Sequence, residues 1–189
     1  MKHKGLLIVL IVLVLLAIIG VSAYNGLAAA REAVDTAEAQ IDAMLQRRAD
    51  LIPNVVATVQ SFTDHETDVI NAVTEARKQL AGAKTVEEKA AADDALTTAL
   101  SGLTVVVENY PELKSDTVYV GLMDELEGSE NRNAVARQDY NTAVQRYNQA
   151  IVRFPKNLLA RLFGFEKAPY FAAAAGAETV PDVAGLLAG

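Results

Sequence analysis

The sequence predicts an all-α protein, with an N-terminal transmembrane helix followed by an antiparallel up-and-down four-helix bundle that has two long outer helices. Three observations predict it. Residues 5–23, GLLIVLIVLVLLAIIGVSA, carry no charge. Beyond them apolar residues return at every seventh position, the repeat of a helix seam. The apolar share of 51% is mostly Ala, Leu and Val, and aromatics reach only 6%, a balance that suits packed helices better than sheet. At 189 residues the chain holds one ordinary domain plus accessory segments.

The first segment, as a helix, is about 28 Å long at about 1.5 Å per residue, close to the hydrocarbon thickness of a bilayer. Leu6, Ile8, Leu10, Val12, Leu15, Ile18 and Val21 are its expected lipid contacts. A cleavable secretory signal ending at Val21-Ser22-Ala23 is the alternative, but the apolar run is long for one, which favours a retained anchor. Lys2 and Lys4 precede the span, while Arg31 follows it among Glu32, Asp35 and Glu38. The positive-inside rule therefore places the N-terminus in the cytoplasm and the rest of the chain outside, with the reverse orientation as the alternative.

From Leu27 the seam runs through Val34, Ile41, Val55 and Phe62, with Ala30, Ala37, Met44, Ile52 and Val59 at the intermediate spacing. Pro53 lies inside this pattern, where the helix either continues with a kink, the preferred reading, or restarts with Asp50 as its cap. A second helix begins near residue 63 and runs to Gly82, with a single unbroken helix over 24–82 as the alternative. Thr85 stands three residues before Glu88, a capping box, and opens a third helix that reaches Val107. The connection ENYPELKSD contains Pro111 and two candidate caps, Ser115 and Asp116. The last long helix, over 117–153, has its seam at Tyr119, Leu126, Asn133, Tyr140, Tyr147 and Phe154. Bundle residues thus cover 24–154.

Pro155 breaks that helix, and a basic amphipathic segment follows over 155–171. In an antiparallel arrangement it returns toward the bilayer, where Lys156, Leu159, Arg161, Leu162, Phe163 and Phe165 meet the membrane surface; a short helix capping the bundle is the plainer reading. Residues 172–189 form a mobile tail. The middle helices are shorter than the outer pair, leaving a two-helix stem whose seam a second copy would cover, so a homo-oligomer is expected.

The chain argues against most chemistry. It has no cysteine, which excludes disulfides, thiolate metal sites, thiol nucleophiles and lipid-bearing cysteines. The net charge is −7, and setting Lys2 and Lys4 aside leaves 15 basic against 24 acidic residues, a poor match for nucleic acid. His65-Glu66 lacks the second histidine that a zinc protease helix needs, because position 69 is Val. Asp124, Glu125, Glu127 and Glu130 read as a solvated helix face before they read as an acid–base pair. No phosphate-cradling loop, nucleophile elbow or dinucleotide fingerprint is present, and no cofactor is expected.

The pair Tyr-Asn occurs at 24–25, 140–141 and 147–148. Seven residues is two turns, so Tyr140 and Tyr147 share a helix face, with Asn141 and Asn148 on its edge. A tyrosine contributes apolar area while its hydroxyl needs a partner, so these pairs read as buried polar spacers that fix register. Arg48 on the first seam and Arg137 near Tyr140 are expected to pair with Glu66, Glu125 or Glu130.

In this order, YNGL (24–27), RRADLIPNVV (47–56), DHE (64–66), EAR (75–77), NYPELKSD (109–116), LMDELEGSENR (122–132) and ARQDYNTAVQRYNQAIVRFPKN (136–157) resemble the LemA family of bacterial membrane-anchored helical proteins. The resemblance covers nearly the whole chain to Phe171. It implies a transmembrane helix before a helical bundle in the bacterial inner membrane, with no enzymatic activity to carry over. Onto the matching positions it carries Tyr24, Asn25, Arg48, Asp50, Pro53, Asn54, His65, Glu66, Pro111, Leu113, Glu125, Glu130, Arg137, Tyr140, Asn141, Tyr147, Asn148 and Pro155 as structural residues. Ser115-Asp116 and Met123 depart from the family's usual Ala-Asn and Gln. The expected function is a membrane-tethered structural or interaction module, working with the bilayer, with further copies and with a membrane protein partner. A ligand- or peptide-binding sensory accessory domain is the alternative, and a carboxylate hydrolase a distant third.

Overall fold

The apolar N-terminal segment and the helix expected to follow it form one uninterrupted element, α1, Lys2–Gln60. The computed structural model describes residues 2–63 and 65–172, and the tail expected over 172–189 lies outside them except for its first residue. The other elements are α2 (Thr67–Gly82), α3 (Val86–Val107), α4 (Pro111–Lys114), α5 (Thr117–Val152) and α6 (Lys156–Phe163). Among the described residues there is no strand, and the fold is all-α.

The ends of these helices follow from local chemistry. Ahead of α3, Thr85 Oγ1 accepts from the Glu88 amide at 3.1 Å, while Glu88 Oε2 accepts from the amides of Thr85 at 3.1 Å and Lys84 at 2.7 Å. This is the predicted capping box, and it satisfies amides that have no partner within the helix. Of the two candidate caps before α5, Asp116 is used: its Oδ1 accepts from Val118 N at 3.0 Å and Tyr119 N at 2.9 Å. The connection before it holds one helical turn of its own, α4, begun by Pro111 and anchored by the fully buried Leu113. α6 ends at Gly164, whose φ of 73° lies in the left-handed region that glycine enters without steric cost, and Phe165 N then donates to Ala160 O at 2.9 Å.

α1 runs through Pro53. Proline has no amide hydrogen, so the carbonyl four residues back, that of Ala49, receives no helical hydrogen bond from position 53. Arg77 Nε of α2 donates to that oxygen at 2.8 Å. The continuous helix removes the alternative in which Asp50 caps a restart. Asp50 instead accepts from Gln46 Nε2 at 2.7 Å on the exposed surface.

The chain forms two compact units. The first comprises Met1–Asp42 and Ala134–Tyr170. Its core takes Leu27, Val34 and Ile41 from α1 and Ala136, Tyr140, Val144, Tyr147 and Ile151 from α5, with Ala160 and Ala168 beyond. The second unit is built on Ala43–Asn133. It buries Ile52, Val55 and Val59 of α1, Ile70, Val73 and Leu80 of α2, Leu96, Leu103 and Val107 of α3, and Tyr119 and Leu126 of α5. Full burial of each such aliphatic side chain contributes about 1.5–3 kcal/mol, more than helix propensity supplies per residue. Phe62 and Phe154, both predicted seam positions, fall outside the core. Phe62 is partly exposed because α1 has already ended, and Phe154 is exposed because α5 stops at Val152 ahead of the turn through Pro155.

Candidate functional site

From Leu6 to Val21 the large apolar side chains of α1 expose 48–72% of their surface, whichever way they point. This stretch includes Ile8, Leu10, Val12, Leu15 and Ile18, the expected lipid contacts. The first buried residue is Ala23, and from Leu27 onward only one stripe of the helix is covered. An all-round apolar surface gives way to a one-sided one within a single turn. α3 is also long and apolar enough to cross a membrane by composition, but it buries Lys89 and Asp93 together with its apolar stripe, as a core helix does.

The second unit contains a buried ionic cluster. Asp93 of α3, fully enclosed, is ion-paired with Arg48 of α1 and accepts from Asn133 Nδ2 of α5 at 2.6 Å. Arg48 also lies 2.8 Å from Glu130 Oε2 and donates to Thr97 Oγ1 at 3.1 Å. Of the partners expected for Arg48, Glu130 is therefore present. Glu125 pairs with the neighbouring Arg47 at the surface, and Glu66 accepts from Tyr110 OH at 2.9 Å. Asp93 was missed, although it falls on the stripe that α3 continues through Leu96, Leu100 and Leu103. Asn133, counted as a seam position, is fully buried in this cluster.

A second polar contact joins the α1–α2 turn to the start of α4. Thr63 Oγ1 donates to Tyr110 OH at 3.1 Å and accepts from the His65 amide at 3.2 Å. His65 is otherwise exposed, as is Asn54, whose carbonyl accepts from Thr58 Oγ1 at 2.8 Å. Glu125 and Glu130 are drawn to two different arginines instead of toward a shared cleft. Among the described residues no group of His, Asp and Glu is placed to hold a metal ion. Hydrogen bonds from the amides of Lys84 and Thr85 hold the Glu88 carboxyl below its ordinary value, and burial pushes the Tyr119 phenol up.

In the first unit Tyr140, Tyr147 and Asn148 hold the backbone beyond α6. Tyr147 OH donates to Glu166 O at 2.8 Å, and Tyr140 OH donates to Pro169 O at 2.9 Å. Asn148 brackets Ala168, accepting from its amide and donating to its carbonyl, both at 2.9 Å. The residues after α6 are thereby clasped along α5. Arg31 lies over the Tyr147 ring, 5.8 Å from its centroid. Tyr24 is partly exposed and meets Phe163 and Phe165 edge-on, at 4.9 and 5.9 Å between centroids. Asn25 is exposed, and Arg137 and Asn141 are half-buried. In α6 Leu158, Leu162 and Phe163 are exposed, while Lys156 and Leu159, and Phe165 just beyond the helix, are half-buried. A shallow hollow of about 630 Å³ in this unit is lined by Ala29, Ala33, Ala37, Asp139, Thr142 and Arg146, among others. The stem seam expected to need a second copy is buried within the chain at Leu27, Val34 and Ile41.

Known proteins resemble this chain in part. An 80-residue stretch, 42% of the chain, is 42% identical to the magnetosome proteins MamQ 2 and MamQ 1 of Paramagnetospirillum magneticum. It spans only 29% of each of those proteins. The magnetosome protein MamQ of Magnetospirillum gryphiswaldense is 28% identical over 174 residues, 78% of this chain and 64% of that relative. The LemA family model matches residues 37–184, well over half of the sequence, and the chain therefore belongs to the LemA family.

Proposed function

We propose that this chain is a non-catalytic structural protein, anchored in the bacterial inner membrane by residues 5–23. Residues 24–154 then form an antiparallel up-and-down four-helix bundle outside the membrane that engages a membrane protein partner. The observation that carries this reading is the change of surface along α1, from apolar side chains exposed on every face before Ala23 to a single buried stripe after it. Water solvates such an apolar cylinder poorly and lipid solvates it well, while the unbroken helix leaves no unpaired backbone groups in the bilayer. The family membership and the pairing of its carboxylates with arginines support the absence of catalysis. Self-association stays within the proposal with its surface moved. The stem seam is already buried, and the apolar surface of residues 5–23 is the face proposed for a second copy.

The test uses the absence of cysteine in the native sequence. Single cysteines placed at Lys4, Val12 and Val105 in the full chain are challenged in intact cells with a membrane-impermeant maleimide. Labelling at 105 alone is the expected result. Labelling at 4 alone reverses the orientation, and labelling at all three sites refutes the anchor. A second reading, a sensory accessory domain that takes a peptide or small ligand, is favoured by the alanine-lined hollow of the first unit. Ala33→Leu would fill that hollow and abolish ligand capture without unfolding the unit.

A further inference from the structure

α6 has two faces. Ala160 points into the first unit and is buried, whereas Leu158 and Leu162, one turn apart on the other side, are exposed with Arg161 beside them. Phe154, ahead of the helix, exposes 79% of its surface, and Phe163 at its end is also largely exposed. The whole stretch 153–167 carries four basic residues (Arg153, Lys156, Arg161, Lys167) against one acidic residue, Glu166, in a chain whose net charge is −7. Large exposed apolar side chains interleaved with cations match no aqueous environment well. They match the boundary between acyl chains and anionic headgroups.

The height of α6 is fixed by contacts with α1. Phe163 and Phe165 pack on Tyr24, the first residue past the apolar span. Lys156 reaches the α1 backbone at Gly26, where a β-carbon would come within 3.0 Å of its Nζ. The clasp of Tyr147 and Asn148 on residues 166–168 keeps α6 from swinging away. With residues 5–23 in a bilayer, Tyr24 stands at the lipid–water boundary, where aromatic side chains concentrate, and α6 is held at that same level.

We propose that α6 is a lipid-binding element, docked on anionic phospholipid with Phe154, Leu158 and Leu162 among the acyl chains and Arg153, Arg161 and Lys167 at the phosphates. The proposal rests on the anchor reading and adds a second, peripheral membrane contact to it. Each cation near an anionic surface shifts such an equilibrium by about fivefold. The site therefore discriminates phosphatidylglycerol from phosphatidylcholine, which the anchor alone does not.

The chain has no tryptophan, so single-tryptophan variants of the full chain report depth in nanodiscs. Leu162→Trp, Val12→Trp and Val105→Trp are compared with lipids brominated near the headgroup and deep in the acyl chain. Leu162→Trp should be blue-shifted and quenched by the shallow bromines, more strongly with phosphatidylglycerol than with phosphatidylcholine alone. Val12→Trp should be quenched by the deep bromines, and Val105→Trp by neither. Quenching at 12 without quenching at 162 overturns the α6 proposal and leaves the anchor standing; no quenching at 12 removes both. Arg161→Glu with Lys167→Glu should abolish the lipid preference at position 162. Equal quenching in both lipids before and after that reversal overturns the anionic assignment, as does loss of the preference on adding free inorganic phosphate.

Discussion

Replacing Arg77 by methionine tests how α1 passes through Pro53. The Arg77 guanidinium is the donor to Ala49 O, the carbonyl that proline deprives of its helical partner, and Ala49 is buried. Methionine keeps much of the aliphatic stem's packing and removes the donor. A buried carbonyl left without a partner costs about 1–3 kcal/mol, so Arg77→Met should destabilise the protein by about 2 kcal/mol. For a chain of this size that is a fall of about 4–8 °C in Tm. Pro53→Ala returns an amide to position 53 and offers Ala49 O its normal i→i−4 bond. In that background Arg77→Met should cost less than about 1 kcal/mol, a coupling of about 1–2 kcal/mol between residues 24 positions apart in the chain. Urea unfolding of the full chain in mild detergent, followed by far-UV circular dichroism, measures all four corners of the cycle. If Arg77→Met costs the same with proline and with alanine at position 53, within about 0.5 kcal/mol, the substitute-donor argument is wrong.

Three further outcomes are expected. Asp93→Ala, which leaves Arg48 with the partly exposed Glu130 as its remaining carboxylate and takes the acceptor from Asn133, should cost about 3 kcal/mol in urea unfolding, whereas Arg47→Ala in the half-exposed pair with Glu125 should cost less than about 1 kcal/mol. Tyr147→Phe should cost about 1 kcal/mol and Asn148→Ala about 2, and both should accelerate proteolysis after Lys167 while amide exchange in α2 and α3 stays unchanged. Because the folded Glu88 carboxyl titrates below its ordinary value, the capping box is fully stabilising above that ordinary value and weakens as pH falls through the folded one. Proton titration of the Thr85 and Glu88 amides should reveal this transition, and Glu88→Gln should abolish it.

Much of the fold was legible because helix signals are local. Thr85 and Glu88 announced α3, Asp116 announced α5, and the heptad positions Leu27, Val34, Ile41 and Val55 are all buried. What escaped reading depended on partners distant in sequence. Asp93 resembled any helical acid until Arg48 was brought to it across two helices. The tyrosines announced that they needed acceptors but not where these lay, and helix periodicity carries no information about carbonyls in the non-helical residues 166–169. Arg77 was unremarkable until the missing amide of Pro53 gave it a carbonyl to serve. The proposed lipid-facing residues were visible as composition alone, since apolar runs and clustered cations need no partner within the chain.

The first unit takes its two parts from stretches far apart in the sequence, Met1–Asp42 and Ala134–Tyr170. A ribosome must therefore make all of residues 43–133 before the stripe of Leu27, Val34 and Ile41 can meet its cover, and the clasp closes only when residues 166–169 have emerged. The second unit has its sequence in hand earlier. Biogenesis thus has an enforced interval in which a greasy strip beside the membrane stands uncovered, and any factor that shepherds this protein would find its work there.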